Sequence, residues 1–226
     1  AEAGVPEGLL VIAEHQTRGK GRLGRFWFSP PRAGIYASLL LRPALRPEQA
    51  PGFTLLAAVA LARALWQVTG LKAGIKWPND LLLEGKKFSG ILTEMKGELD
   101  RIHYLVIGTG INVNTDPGLF PPEFRERATS LKAVLGKEVS RVELLAAYLQ
   151  AFAGEYEIYL QHGLAPILKD WKEWNVTLGR WVTVELGSTV FEGLAVDLDD
   201  NGALLVRDER GELRTLQSGE VTLSKK

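Results

Sequence analysis

Between Thr17 and Arg25 the chain reads Thr-Arg-Gly-Lys-Gly-Arg-Leu-Gly-Arg, four cations interleaved with three glycines. From His15 to Pro47 there are seven Lys or Arg residues and no acid. Glycines let the main chain approach a bound group and present successive N–H donors. Guanidinium and ammonium groups add charge-assisted hydrogen bonds to carboxylate or phosphate. Together these are the parts of an anion site. The spacing Gly19-x-Gly21-x-x-Gly24 also fits a dinucleotide fingerprint, which requires a helix immediately afterwards. Phe26-Trp27-Phe28-Ser29-Pro30-Pro31 follows instead, and the prolines oppose a helix. The three aromatics leave a second reading open, the stacking of nucleic-acid bases. However, 27 basic and 27 acidic residues give no excess of positive charge for binding a phosphate backbone.

Three further segments carry chemistry. In Lys76-Trp77-Pro78-Asn79-Asp80 the proline fixes a turn, so the polar side chains beside it point in set directions. Asn79 offers a donor and an acceptor, which suits a purine edge. Asp80 suits Mg²⁺ or an Arg partner; an Asx-type turn over a buried Trp77 is the plainer reading. In Lys87-Phe88-Ser89-Gly90-Ile91-Leu92 a Lys precedes a Gly on a strand. Its ammonium either reaches across bare backbone toward an anion or ends a hairpin. Gly108-Thr109-Gly110-Ile111-Asn112-Val113-Asn114 follows an apolar strand, where Gly-x-Gly brings a ligand or another segment close. Asn112 and Asn114 alternate onto one face there, or cap the strand end. The absence of Cys excludes disulfides, thiolate nucleophiles and Cys-held zinc. His15, His103 and His162 are scattered and form no HExxH pair.

These segments need elements to hold them. Leu9–Ala13 and Ile35–Leu41 read as strands, the second stopped by Pro43. Pro51–Val68 reads as a helix with Leu55, Leu56, Val59 and Leu65 on one stripe and Gly70 as its stop. Strands are predicted around Gly74–Trp77, Leu81–Glu84, Phe88–Met95 and Ile102–Ile107, and irregular chain over Pro117–Arg127. Ser140-Arg141-Val142-Glu143 is a capping box that opens a helix to about Gln161, ended by Gly163. Pro166–Trp174 is a second helix. After Leu178, short β runs alternate with Gly, Ser and Asp-Asp-Asn-Gly turns, the texture of a small β-barrel. Two domains are expected, over 1–177 and 178–226. The longest apolar run, Phe53–Leu65, contains Arg63 and is short of the roughly 18 residues of a membrane span, so it reads as a core helix. Ala1–Gly8 carries two Glu and no basic residue, unlike a signal peptide. A cytoplasmic protein without a membrane partner is expected.

In this order and spacing, Gln16–Arg25, Trp27–Pro30, Lys76–Asp80, Lys87–Leu92 and Gly108–Asn112 resemble the catalytic domain of a biotin protein ligase (biotin–[acetyl-CoA carboxylase] ligase). The C-terminal β runs resemble that family's SH3-like domain. The resemblance implies an α+β fold: a mixed β-sheet with packed helices, class II synthetase/biotin-lipoate ligase-like, followed by a small SH3-like β-barrel. It implies that biotin carboxylate attacks the α-phosphate of ATP, with Mg²⁺, to give biotinyl-5′-AMP and pyrophosphate. A lysine amine of a biotin carboxyl carrier protein then attacks the mixed anhydride and releases AMP. Carried over by position, Lys87 binds the biotin carboxylate and the phosphoryl oxygens. Arg22 and Lys20 cover the phosphate and carboxylate side. Gln16, Gly19, Gly90 and Gly108 line the biotin pocket. Trp27 flanks the adenine, Asn79 and Asn112 face the nucleotide, and Arg25 and Lys76 support the triphosphate. Asp80 orients the incoming amine or assists the metal, which makes Lys87, Arg22 and Asp80 the catalytic set.

The chain departs from the family pattern in two places. Lys20 stands where the family usually has Arg, which removes a planar bidentate contact. A Ser-Thr-Asn-type segment that touches the biotin ureido ring in relatives would lie upstream of Ala1, and Met95 is the only Met. An upstream extension is therefore expected to raise biotin affinity. The lack of a preceding helix-turn-helix resembles the ligases that are not repressors, so no DNA partner is expected. The sequence leaves the oligomeric state open, although enzymes of the type it resembles can form a homodimer through sheet edges near the basic loop; Leu223-Ser224-Lys225-Lys226 either reaches back to the nucleotide phosphates or is a frayed basic tail. Three alternatives stand beside this reading: a lipoate–protein ligase, a nucleic-acid-binding module using the basic loop, and a non-catalytic biotin- or nucleotide-binding regulator.

Overall fold

The alternation of side chains along three adjacent strands determines where the site lies. In the computed structural model, which describes residues 1–224, six strands form a sheet: β1 (Leu10–Ala13), β2 (Gly34–Leu41), β3 (Gly74–Lys76), β4 (Asp80–Leu83), β5 (Lys86–Gly97) and β6 (Ile102–Asn112). Their order is β1-β2-β6-β5-β4-β3. The named strand pairs are antiparallel, and isolated parallel bridges Ile75–Asn175 and Lys87–Ala128 join the sheet to chain outside it. Register sets Tyr36 and Ser38 opposite Gly110 and Gly108, and these opposite Gly90 and Leu92. Residues two apart share a face, so these six face the same way.

The other face is the core. Helix α1 (Ala50–Thr69) packs on β5 and β6 and is buried along most of its length. Its 12 buried residues explain why so apolar a helix, long enough by composition to cross a membrane, sits inside the fold. Gly70 closes it in the left-handed conformation, at φ 73°. Helix α4 (Arg141–His162) packs beside α1, and α5 (Ala165–Trp174) contacts both. The Ser140 cap forms as predicted, with Glu143 N–H donating to its hydroxyl at 3.2 Å. Thr54 of α1 bonds Thr93 at 2.8 Å, and Thr109 bonds Tyr148 of α4 at 3.0 Å.

One ion network ties the three helices. Arg63 of α1 bonds Glu155 of α4 and reaches Asp170 of α5 at 2.6 Å. Glu155 is buried, and burial raises its pKa against the opposing pull of Arg63. Arg63→Leu is expected to cost roughly 2–3 kcal/mol, because it strands a buried carboxylate while the lost cation was partly exposed. The deficit should shrink as pH falls, since a proton on Glu155 removes the stranded charge. Urea midpoints at two pH values check both statements.

Two short helices, α2 (Pro122–Arg125) and α3 (Leu131–Leu135), lie between β6 and α4. The first falls inside the stretch expected to be irregular. Strand β6 runs on to Asn112 rather than stopping near Ile107, which places the whole Gly108–Asn112 motif inside the sheet. Beyond α5, strands β7 (Trp181–Leu186), β8 (Thr189–Leu198), β9 (Leu204–Asp208), β10 (Leu213–Leu216) and β11 (Glu220–Leu223) form an antiparallel sheet ordered β10-β9-β8-β7-β11. Lys225 and Lys226, and with them any tail contact, lie outside the described residues.

Candidate active site

The basic loop is folded rather than open. Gly21 N–H donates to Arg25 C=O at 2.7 Å and Trp27 N–H to Gly19 C=O at 2.9 Å, so residues 19–27 form a small hairpin flap. Leu23 (φ 55°) and Gly24 (φ 74°) turn its tip. Gly19 is required at the base: a Cβ there would lie 2.2 Å from the Trp27 carbonyl oxygen.

Under the flap lies a cavity of about 170 Å³. Its walls include the predicted Gln16, Lys20, Arg22, Trp27, Asn79, Lys87, Gly90 and Gly108, drawn from the flap, the Lys76–Asp80 turn and strands β5 and β6. Trp27 forms its floor. The ring lies on bare backbone: a Cβ on Gly110 would fall 2.4 Å from it, and one on Gly90 3.3 Å. Lys87 Nζ sits 5.4 Å from the centre of the same ring, in cation–π range. The Trp27 indole N–H and the Asn112 amide oxygen are buried without a hydrogen-bond partner among the described residues. Such groups cost free energy unless a ligand or water meets them.

Charge is concentrated at one end. Lys87 Nζ lies 2.5 Å from Asp80 Oδ1, and Lys76 Nζ lies 3.9 Å from Asp80 Oδ2. Burial lowers the Lys76 pKa against the attraction of Asp80, and Lys87, Arg25 and Arg127 push it the same way. Burial also lowers that of Arg22, opposed by Asp80. Several cations thus share few carboxylates, an arrangement that favours an incoming polyanion.

Five predicted residues stand outside the cavity wall. Gly19 supports the flap, and Asp80 and Lys76 pair behind Lys87. Arg25 turns away to a bidentate ion pair with Glu220 of β11, which fastens the flap to the C-terminal sheet. Asn112 donates to the Thr129 carbonyl at 3.1 Å. Asn79 has a different use from the purine edge expected of it. It accepts from Arg22 at 2.9 Å and donates to the Ile91 carbonyl at 2.9 Å, so it positions the arginine. Asn114 braces Val139 through two hydrogen bonds of 3.0 Å. The turn itself hangs on the C-terminal half, for the Trp77 indole N–H donates to the Gly202 carbonyl at 3.0 Å.

Arg18, Tyr36, Ser38, Glu94 and Gly110, to which the motifs assign no role, also line the cavity. The Gly-x-Gly spacing held the signal for Gly110. Ser38 and Glu94 carried none, since only strand register brings them there. A neighbouring cavity of about 340 Å³ shares Arg22 and Asn79 and extends to Pro47, Met95, Gly202 and Gln217. It contains a single cation and lacks Lys87, so the reacting groups belong to the smaller cavity.

A six-stranded sheet with one helix-covered face, a basic flap on the other and a small β-module behind defines a class. Residues 2–112 match the Biotin/lipoate A/B protein ligase family, and residues 177–224 match the Biotin protein ligase C terminal domain. The Bifunctional ligase/repressor BirA of Bacillus subtilis is 39% identical over 99% of this chain and 68% of its own length. The Biotin--[acetyl-CoA-carboxylase] ligase of Paracoccus denitrificans is 34% identical over 92% of this chain and 88% of its own. The structure of the biotin protein ligase from Aquifex aeolicus in complex with biotin and ATP superposes with a TM-score of 0.84 at 30% identity, covering 99% of this chain and 91% of that one. The chain belongs to the biotin protein ligase family.

Proposed function

We propose that the protein activates biotin with ATP and transfers it to a lysine of a biotin carboxyl carrier protein. The observation that carries this reading is Lys87, paired with Asp80 at 2.5 Å beside a Trp27 ring laid on bare glycine backbone. A slot walled by an aromatic ring and glycines takes a flat, mostly apolar acid, and the ammonium at its end takes the carboxylate.

In the first step a carboxylate oxygen bonds to the α-phosphorus, the bond to the β-phosphate oxygen breaks, and pyrophosphate leaves. The obstacle is repulsion between two anions. Lys87 and Arg22 lower it by position and charge, and Lys76 and Arg25 add positive potential nearby. In the second step the carrier amine bonds to the acyl carbon, AMP departs and the amine loses a proton; Asp80 acts there through Lys87, which it holds at 2.5 Å. No protein nucleophile is required. Among the described residues no three His, Asp or Glu side chains converge on a metal position, and Asp80 already faces two lysines. The residues therefore do not fit a protein-held ion. Mg²⁺ belongs to this proposal as part of the nucleotide substrate, carried on its phosphates.

Mass spectrometry after incubation with biotin and Mg-ATP should find bound biotinyl-5′-AMP, and addition of a carrier domain should discharge it. Pyrophosphate exchange driven by lipoate and not by biotin would instead favour the sister activity. Arg22→Ala should shorten retention of the adenylate by about tenfold while changing biotin affinity less, because a charge-assisted contact is lost only once phosphate is present. Dissociation rates of each ligand check this. A cytoplasmic enzyme completes the proposal; oligonucleotide binding at varied salt tests the nucleic-acid alternative, and light scattering gives the oligomeric state.

A further inference from the structure

Four cations line the cavity: Arg18, Lys20, Arg22 and Lys87. Three of them are engaged. Lys20 Nζ is held by Glu94 at 2.5 Å, Arg22 Nη1 donates to Asn79 at 2.9 Å, and Lys87 lies 2.5 Å from Asp80. The Arg18 side chain has no hydrogen bond or ion pair among the described residues. We infer that Arg18, beside the base of the flap, rather than Lys20 within it, is the cation that meets the carboxyl–phosphate junction of the bound adenylate. The inference rests on the ligase reading above and assigns, within that site, a residue the family resemblance did not supply.

The physical argument is one of competition and anchoring. For an anion to recruit Lys20, the Lys20–Glu94 pair must first open. Glu94 lines the same cavity, and its freed carboxylate would then repel the ligand. Arg18 has no such pair to break. A guanidinium also offers a planar fork to two oxygens at once, which an ammonium cannot. The backbone on either side of Arg18 is fixed. Gly19 C=O accepts from Trp27 N–H at 2.9 Å, and Gln16 N–H donates to Ser29 C=O at 3.4 Å. The stem of Arg18 therefore starts from a set position while its head group is free to meet a ligand.

The test compares Arg18→Ala, Arg18→Lys and Lys20→Ala in the full chain. Biotinyl-5′-AMP is formed in place, free ligand is removed, and the rate of adenylate loss is followed with pyrophosphate exchange kinetics and the melting temperature. Arg18→Ala should lose adenylate about tenfold faster than the parent, with unchanged melting and a smaller change in KM for biotin. Arg18→Lys should recover part of the loss, and Lys20→Ala should fall short of the Arg18→Ala effect. An Arg18→Ala protein that keeps its adenylate at the parental rate overturns the inference, as does a Lys20→Ala protein that loses it faster than Arg18→Ala. A parent chain that forms no adenylate at all overturns the ligase reading and this inference with it.

Discussion

Lys87→Ala should slow biotinyl-adenylate formation by about 10²–10³-fold, the loss that follows removal of one preorganised charge at a reacting centre. The fold should survive the change. The Lys87 main chain pairs with the Arg127 carbonyl at 2.8 Å and the Thr129 N–H at 2.9 Å, and both bonds are independent of the side chain. The ammonium is one-third exposed, and Asp80 keeps Lys76 as a counter-charge. The deficit should therefore appear in pyrophosphate exchange and leave the melting temperature nearly unchanged. Lys87→Arg should restore charge without restoring the rate, because the longer, planar head group cannot occupy the same position beside Trp27. An alanine variant with parental turnover would remove Lys87 from the reaction and leave the cavity without its organising cation.

The second large effect is steric. Gly110→Ala should lower adenylate formation by about 10²-fold, the scale expected when a site is displaced by about 1 Å. Its new methyl would lie 2.4 Å from the Trp27 indole. That ring is rigid, and its main chain is tied to Gly19 at the flap base, so the collision lifts the floor and the flap together. Gly108→Ala is the informative comparison, because its methyl would find nothing nearer than the Leu92 carbonyl at 3.4 Å. Tryptophan fluorescence should change for Gly110→Ala and hold for Gly108→Ala. Parental adenylate formation by Gly110→Ala would show that Trp27 does not set the floor on which the substrate rests.

Both predictions concern residues whose types were visible in the chain but whose roles differed in visibility. In the sequence Lys87 suits an anion site or a hairpin end, and only the family motif favours the first. Gly110 shares its spacing signal with Gly108, and two glycines two residues apart on one strand look alike until a ring is laid over one of them. In the sequence Asn79 is a free amide that suits a purine edge. Its two ends are in fact taken by Arg22 and the Ile91 carbonyl, contacts that come from segments 57 and 12 residues away.

Local physics accounts for what the chain disclosed unaided. A period of two or of 3.6 residues, a serine before a glutamate, a glycine that ends a helix and a proline that fixes a turn are all set by near neighbours. The α+β architecture, α1 and the Ser140 cap were therefore readable from them. Long-range packing decided the rest. It extended β6 through Gly108–Asn112, because hydrogen bonds to β2 and β5 outweigh the weak strand preference of two glycines. It also turned Arg25 toward Glu220, drew Lys20 to Glu94 and left Arg18 unpaired. Which of several equivalent cations is free for a ligand depends on where carboxylates 74 and 195 residues away come to lie, and no local rule carries that information.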